Sequence, residues 1–225
     1  MFDYDGWVRR AATFVTGLPT QLEGDIRVSA SVSTPFLSSS EVRSLEFNLN
    51  RSVPAELCAL FEIGSGECNC RYVWNPENDA EPLMKSIFGY QDYIYGGPRF
   101  YSSLISKDGM ESCLEVAEAL FEDAPGEKSL WSNALPFTPI DNGDYLALDL
   151  SGSRDGPPVI YLSHEGESEI IAPDFVTFLQ TWERLCYIGP EIWLLAEFID
   201  ESGLLNADTE KARQLRKLFR IKTDL

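Results

Sequence analysis

Residues 135–182 read LPFTPIDNGDYLALDLSGSRDGPPVIYLSHEGESEIIAPDFVTFLQTW, and this stretch decides the fold. Two apolar runs, 145–150 and 159–163, predict strands, and the Ser-, Gly- and Pro-rich residues between them predict a turn. A third short strand is predicted at 169–171. Pro173 then begins a helix with one apolar face, made of Phe175, Phe178, Leu179 and Trp182. Strands joined by short turns and followed by such a helix predict an α+β domain.

Helices and a long loop are predicted upstream of this stretch. A leading helix carries Trp7, Val8, Ala11, Ala12 and Val15 on one face, and Gly17 with Pro19 is expected to end it. Ser38 and Glu41 have the spacing of a capping box, which predicts a second helix with Val42, Leu45 and Leu49 as its apolar stripe. Residues 75–98 are rich in Pro, Gly, Asn and Tyr, and predict a loop excursion with one strand near 92–95.

The predicted organisation has three parts. Residues 1–37 form an N-terminal helical extension, 38–190 the α+β domain, and 191–225 C-terminal helices packed on the same domain. One of these helices is predicted from Pro190 to about Glu201. A chain of 225 residues can bury a core without a metal or disulfide.

Charge narrows the class of partner. The chain has 36 acidic and 18 basic side chains, a formal net charge of −18. Nucleic acid and anionic membranes bind through Lys and Arg, so neither is an expected partner. A basic protein would be attracted. Acidity for solubility alone remains an alternative reading.

The cysteines predict a location. Cys58, Cys68, Cys70, Cys113 and Cys186 are an odd number without the spacing of a disulfide framework. The N-terminus has no signal-peptide pattern, and no apolar run has transmembrane length. We therefore expect reduced thiols in a cytoplasmic protein.

The motifs of enzymes and metal sites are weak in this sequence. His164 is the one histidine and is expected in a surface turn, because no nucleophile motif accompanies it. Cys58 and the Cys68-x-Cys70 pair lack the second pair of a zinc site. Asp141-Asn142-Gly143 predicts a hairpin turn. We expect no catalytic residue, no metal and no cofactor; a hydrolase that uses two carboxylates remains open.

The pattern within 135–182 resembles the C-terminal half of the SUKH superfamily, which includes fungal cell-wall assembly regulators and many bacterial toxin-immunity proteins. The similarity consists of a Phe-x-Pro-Ile segment, a Gly-Asp turn, two apolar strands, His-Glu, and a helix of the form Ala-Pro-x-Phe-x-x-Phe-Leu-x-x-Trp. The residues that carry it are Phe137, Pro139, Ile140, Gly143, Asp144, Leu148, Asp149, Pro158, Val159, Tyr161, His164, Glu165, Ala172, Pro173, Phe175, Phe178, Leu179 and Trp182. Upstream of residue 135 the similarity is looser.

The resemblance implies a fold and a role. The fold is a curved, mainly antiparallel sheet wrapped by helices. For the bacterial members, the role is that of an immunity protein that binds and neutralises a cognate toxin, often a nuclease. An acidic inhibitor suits the basic substrate channel of such a toxin. The alternative is a regulatory or scaffolding module in cell-wall assembly.

Two groups of side chains are candidate partner-binding residues, while the oligomeric state stays undetermined. The aromatic candidates are Tyr90, Tyr93 and Tyr95 of the excursion. The acidic candidates are Asp141, Asp155, Glu165 and Glu167. Packing within a long loop is an equally good explanation for the tyrosines.

Overall fold

The computed structural model describes residues 1–33, 37–41, 44, 52–89, 91–104, 107–152 and 156–220. Helices and two antiparallel four-stranded sheets form within these residues, which confirms the predicted α+β class. Most of the predicted second helix, with Val42, Leu45 and Leu49, lies outside them. Its capping box is present: the Ser38 N–H donates to Glu41 Oε2 at 2.7 Å, and the Glu41 N–H to Ser38 Oγ at 3.3 Å.

The leading helix α1 (Tyr4–Gln21) is longer than predicted. It continues through Gly17 and Pro19, which were expected to end it. Pro19 only removes one backbone donor near the C-terminus of the helix, and the buried Leu18 holds the last turn against the core. The Leu22 N–H closes that turn on the Leu18 carbonyl at 3.0 Å.

The first sheet is built around one long strand. Its members are β1 (Gly24–Val32), β2 (Glu67–Pro76), β3 (Ile94–Gly96) and β4 (Arg99–Tyr101). β2 pairs with β1 along one edge and with β3 and then β4 along the other. Because side chains alternate across a strand, β2 buries Tyr72 and Trp74 and exposes Arg71 and Val73 on the opposite face.

Two of the described helices lie between β1 and β3 in the sequence. α2 (Ala55–Ala59) continues as a π-helical turn at Leu60–Gly64, and α3 is Ala80–Phe88. α3 occupies part of the predicted loop excursion, so that prediction was wrong for this segment. Pro82 suggested a loop, but it lies in the first turn, where an N–H has no helical acceptor. Met84, Ile87 and Phe88 bury one face of α3.

The second sheet is an antiparallel meander whose strands lie almost entirely within residues 135–182. Its strands are β5 (Ala134–Pro139), β6 (Tyr145–Asp149), β7 (Val159–Leu162) and β8 (Glu169–Ala172), in that order. α4 (Lys107–Leu120) and α5 (Pro125–Asn133) cover one face, where Cys113 and Trp131 pack in a small core with Ile160. α6 (Phe175–Arg184) covers the other, and the Phe137 and Phe175 ring centroids are 5.1 Å apart.

The C-terminal region packs into the main core. The helix predicted from Pro190 is only α7 (Ile192–Leu195) followed by a 3-10 turn at Ala196–Phe198, and the last helix is α8 (Glu210–Leu218). The ring centroids of Phe14 in α1 and Phe219 after α8 are 5.6 Å apart. Residues of all three predicted parts therefore share one core. Among the described residues, no helix combines the length and apolarity needed to cross a bilayer.

Candidate functional site

A cleft of about 390 Å³ opens where the two sheets meet. It is lined by segments 71–73, 95–97, 141–142 and 189–191, together with Tyr93, Arg99 and Trp193. β2, β3 and β4 of the first sheet form one wall, the β5–β6 turn of the second sheet forms another, and the segment that leads into α7 completes it. Binding sites are commonly concave and of this size.

Two glycines allow the close backbone approach that shapes the floor. A Cβ at Gly96 would lie 2.2 Å from the Tyr187 carbonyl oxygen, and one at Gly97 would lie 2.1 Å from the Cys70 carbonyl oxygen. Gly97 also has φ of +107°, a conformation that side chains rarely allow. The Gly97 N–H donates to the Tyr187 carbonyl at 2.7 Å, so β3 is held against the C-terminal region.

An ion network joins the two sheets across the cleft. Arg99 is buried and donates to Asp141 Oδ1 at 2.7 Å and to the Pro139 carbonyl at 2.9 Å. Arg71 donates to Asp141 Oδ2 at 2.6 Å. Burial acts to raise the pKa of Asp141, but the two guanidinium groups outweigh it and hold that pKa below its usual value. Both Asp141 oxygens are thus engaged with cations of the chain itself.

Glu191 is the second carboxylate of the cleft and is only 5% exposed. Its Oε2 has no hydrogen-bond partner among the described residues. Burial raises the pKa of Glu191, because it outweighs the opposing effects of the Arg99 guanidinium and the Tyr95 hydroxyl nearby. A buried carboxylate oxygen without a donor is costly, so this position is the least satisfied polar group of the cleft.

Exposed apolar side chains surround the opening. The exposed fractions are 50% for Tyr93, 46% for Trp193 and 41% for Val73. The Tyr93 and Tyr95 ring centroids are 6.0 Å apart. Tyr95 is less exposed, and burial raises the pKa of its hydroxyl. Exposed aromatic rings beside arginines are typical of the central residues of protein interfaces.

A separate polar cluster lies on the second sheet. Asp144 is buried and accepts hydrogen bonds from the Tyr161 hydroxyl at 2.6 Å, Asn142 Nδ2 at 2.7 Å and the His164 N–H at 2.9 Å. The His164 Nδ1 lies 2.6 Å from Asp144 Oδ1. Burial acts to raise the pKa of Asp144, but these hydrogen bonds outweigh burial and hold that pKa below its usual value. His164 does lie in a turn, yet it serves to tie that turn to the β5–β6 turn.

The sequence-predicted site residues divide into three groups. Tyr93, Tyr95 and Asp141 line the cleft. Glu165 and Glu167 are exposed on the β7–β8 turn and are not lining residues. Tyr90 and Asp155 lie outside the described residues.

Among the other lining residues, nothing in the sequence indicated a site at Arg71, Arg99, Glu191 or Trp193. Glu191 and Trp193 fall in the helix predicted from Pro190, and no motif marks Arg71 or Arg99, so local pattern carried no signal. An exposed tryptophan is recognisable only once burial is known.

Comparison with known proteins finds a family over the region that contains β2 to β8. The family model described as SMI1 / KNR4 family (SUKH-1) matches residues 37–181, more than half of the chain. No curated protein and no solved structure matches the chain. The match includes the Asp144 cluster and most of the cleft, and it ends before Glu191 and Trp193. The chain therefore belongs to the SMI1/KNR4 (SUKH-1) family.

Proposed function

We propose that the chain is a non-enzymatic protein-binding domain and that the cleft is its docking site. The observation that carries this proposal is the cluster of exposed Val73, Tyr93 and Trp193 around one concave opening. Aromatic residues at the centre of an interface supply most of its binding energy. The family supports the coarse role, because its members act through protein–protein contacts.

The finer proposal is toxin immunity, in which the chain binds and neutralises a basic toxin domain. The net charge of −18 supports this proposal. A toxin that degrades nucleic acid carries a basic channel, and opposite charge speeds its association with an acidic inhibitor. A stable complex of this kind buries about 1,600 Å² in total. The five cysteines are free thiols, which supports a proposed cytoplasmic location.

Affinity capture from the native lysate tests this proposal, with washes at low and then high salt. The native protein should retain one stoichiometric basic protein that high salt releases. Trp193→Ala should lose it, whereas Ile170→Ala should keep it; both side chains are 46% exposed, and Ile170 does not line the cleft. The captured protein should then be toxic when it is expressed alone and harmless when it is co-expressed with the native chain.

Cell-wall assembly regulation is the competing role, because the SMI1/KNR4 family suggests it as well as immunity. A scaffold of that kind would retain several weaker partners, and their binding would depend little on salt. That result would reject the proposal that the chain is an inhibitor of one toxin. Equal capture by Trp193→Ala and the native chain would also reject it.

One observation favours a carboxylate hydrolase as a second candidate. Asp141 and Glu191 line the same cleft, and their pKa values shift in opposite directions, as in an acid–base pair. Against it, both Asp141 oxygens accept from arginines and Glu191 Oε2 is buried. Chromogenic glycosides supplied between pH 4 and 8 should therefore release no product. Turnover that Glu191→Gln abolishes would establish the hydrolase.

A further inference from the structure

The charges inside the cleft are unevenly satisfied. Arg71, Arg99, Asp141 and Glu191 are the charged side chains among its lining residues. Both arginines direct donors at Asp141, and Arg99 also donates to the Pro139 carbonyl. Glu191 Oε2 has no donor among the residues described. The least satisfied charge among the lining residues is therefore a carboxylate, which a positively charged group in the cleft would stabilise.

The aromatic side chains at the opening suit the same kind of ligand. Tyr93 and Trp193 are each about half exposed, and Tyr95 lies close to both of them and to Glu191. A cation is attracted to the faces of such rings, and the methylene stem of Lys or Arg packs on apolar surface while its head reaches a polar site. The net charge of −18 favours the approach of a basic group over an acidic one.

From these contacts we infer that the cleft accepts one cationic side chain, a lysine or an arginine, projecting from the partner protein. Its stem packs against Tyr93 and Trp193, and its head lies in the cleft near the Glu191 carboxylate. This inference rests on the proposed protein-binding function and specifies which feature of the partner the cleft recognises. Burial raises the pKa of Glu191, and a bound cation would oppose that effect by stabilising the ionised carboxylate.

Capped single amino acids test the inference on the full chain without any partner protein. The probes are the N-acetyl methylamides of arginine, lysine, norleucine and glutamate. NMR of the Trp193 indole N–H and of the Glu191 side-chain carboxyl reports binding at the cleft. Arginine and lysine should shift both signals in a saturable way, norleucine should bind about tenfold more weakly, and glutamate should not bind.

A matched pair of variants isolates the carboxylate. In Glu191→Gln the arginine and norleucine probes should bind equally, while Glu167→Gln, an exposed site that is not a lining position, should behave like the native chain. Equal binding of arginine and norleucine to the native chain would reduce the cleft to an apolar pocket. A preference for glutamate, or no binding by any probe, would also overturn the inference.

Failure of the inference that the cleft accepts a cationic side chain can be separated from failure of the proposed function. If Trp193→Ala loses the captured partner and Glu191→Gln retains it in full, the cleft binds a protein but does not recognise a cation. If both variants retain the partner, docking at the cleft is itself rejected.

Discussion

The two polar clusters of this protein lie on the same β5–β6 turn and are built in opposite ways. Asp144 accepts hydrogen bonds from Tyr161, Asn142 and His164, and it is buried. Across the turn, Asp141 is shared by two arginines beside Glu191, whose Oε2 lacks a partner among the described residues. The first cluster is complete in itself and stabilises the fold. The second leaves one group unsatisfied beside exposed aromatic rings, as expected of a surface that binds something else.

The family match covers all of the first cluster and only part of the second. Asp144, Tyr161 and His164 all lie within residues 37–181, whereas Glu191 and Trp193 follow that range. Most positions that carry the resemblance are turn or core residues, so they identify the fold without identifying a ligand. The cleft combines this family scaffold with a C-terminal segment outside the match. We therefore expect substitutions in the two clusters to separate stability from binding.

The largest effect should come from Asp144→Ala. It removes the acceptor of several hydrogen bonds, including the carboxylate to which the buried Tyr161 hydroxyl donates. We expect the free energy of unfolding to fall by about 3 kcal/mol, measured by urea denaturation. Glu167→Ala, on an exposed turn, is the control and should change it by less than about 0.5 kcal/mol. A similar small change in Asp144→Ala would show that this cluster does not stabilise the fold.

A smaller effect should distinguish the two arginines that bind Asp141. The Arg99 side chain is 7% exposed and that of Arg71 is 49% exposed, although both donate to the same carboxylate. Arg99→Met should lower the free energy of unfolding by about 2 kcal/mol, because the Arg99 side chain that joins the sheets is itself buried. Arg71→Met should lower it by less than about 1 kcal/mol, as an exposed ion pair does. Equal losses in urea denaturation would contradict this difference.

Acid should lower the free energy of unfolding, partly through protonation of Asp144. Its pKa is lower in the folded chain than in the unfolded one, because its hydrogen bonds outweigh burial. The resulting stability is fully present above the unfolded pKa, near 4, and is lost as the pH falls through the folded value. Asp144→Asn should therefore be less stable at pH 7 but lose less stability between pH 5 and 2. Parallel curves for the two proteins would contradict the assignment.

The smallest effect should come from Glu191→Gln, with the opposite sign. The pKa of Glu191 is raised by burial, so its ionised form destabilises the folded chain as the pH rises through that value. Replacement by glutamine should increase the free energy of unfolding at pH 7 by less than about 1 kcal/mol. The gain should disappear below pH 4, where the native Glu191 is protonated. A loss of stability at pH 7 would make Glu191 part of the structural framework.

Prediction from the sequence is correct where structure depends on neighbours along the chain. It located β6, β7 and β8, the turn at Gly143, and the apolar face of α6, because alternation, turn chemistry and helical spacing are local signals. It missed α3 and overextended the helix at Pro190. In both segments a proline and weak periodicity concealed whether tertiary packing would support a helix.

The candidate site shows the same limit. Tyr93, Tyr95 and Asp141 were identified from composition and exposed charge, and all three line the cleft. Arg99, Glu191 and Trp193 could not be identified in that way. Their importance depends on burial and on partners distant in the sequence: Arg99 meets Asp141, and Glu191 lies near Tyr95.

The sequence by itself determined the α+β class, the strands of the second sheet and the acidic charge of this protein, because composition and short-range periodicity encode them. Only the tertiary structure decided that β3 lies against the segment before α7, through the bond from the Gly97 N–H to the Tyr187 carbonyl. That contact brings Tyr93 and Tyr95 to Glu191 and Trp193 across about a hundred residues of chain. No local pattern encodes such a pairing, because it depends on which surfaces remain to be covered once the sheets have formed.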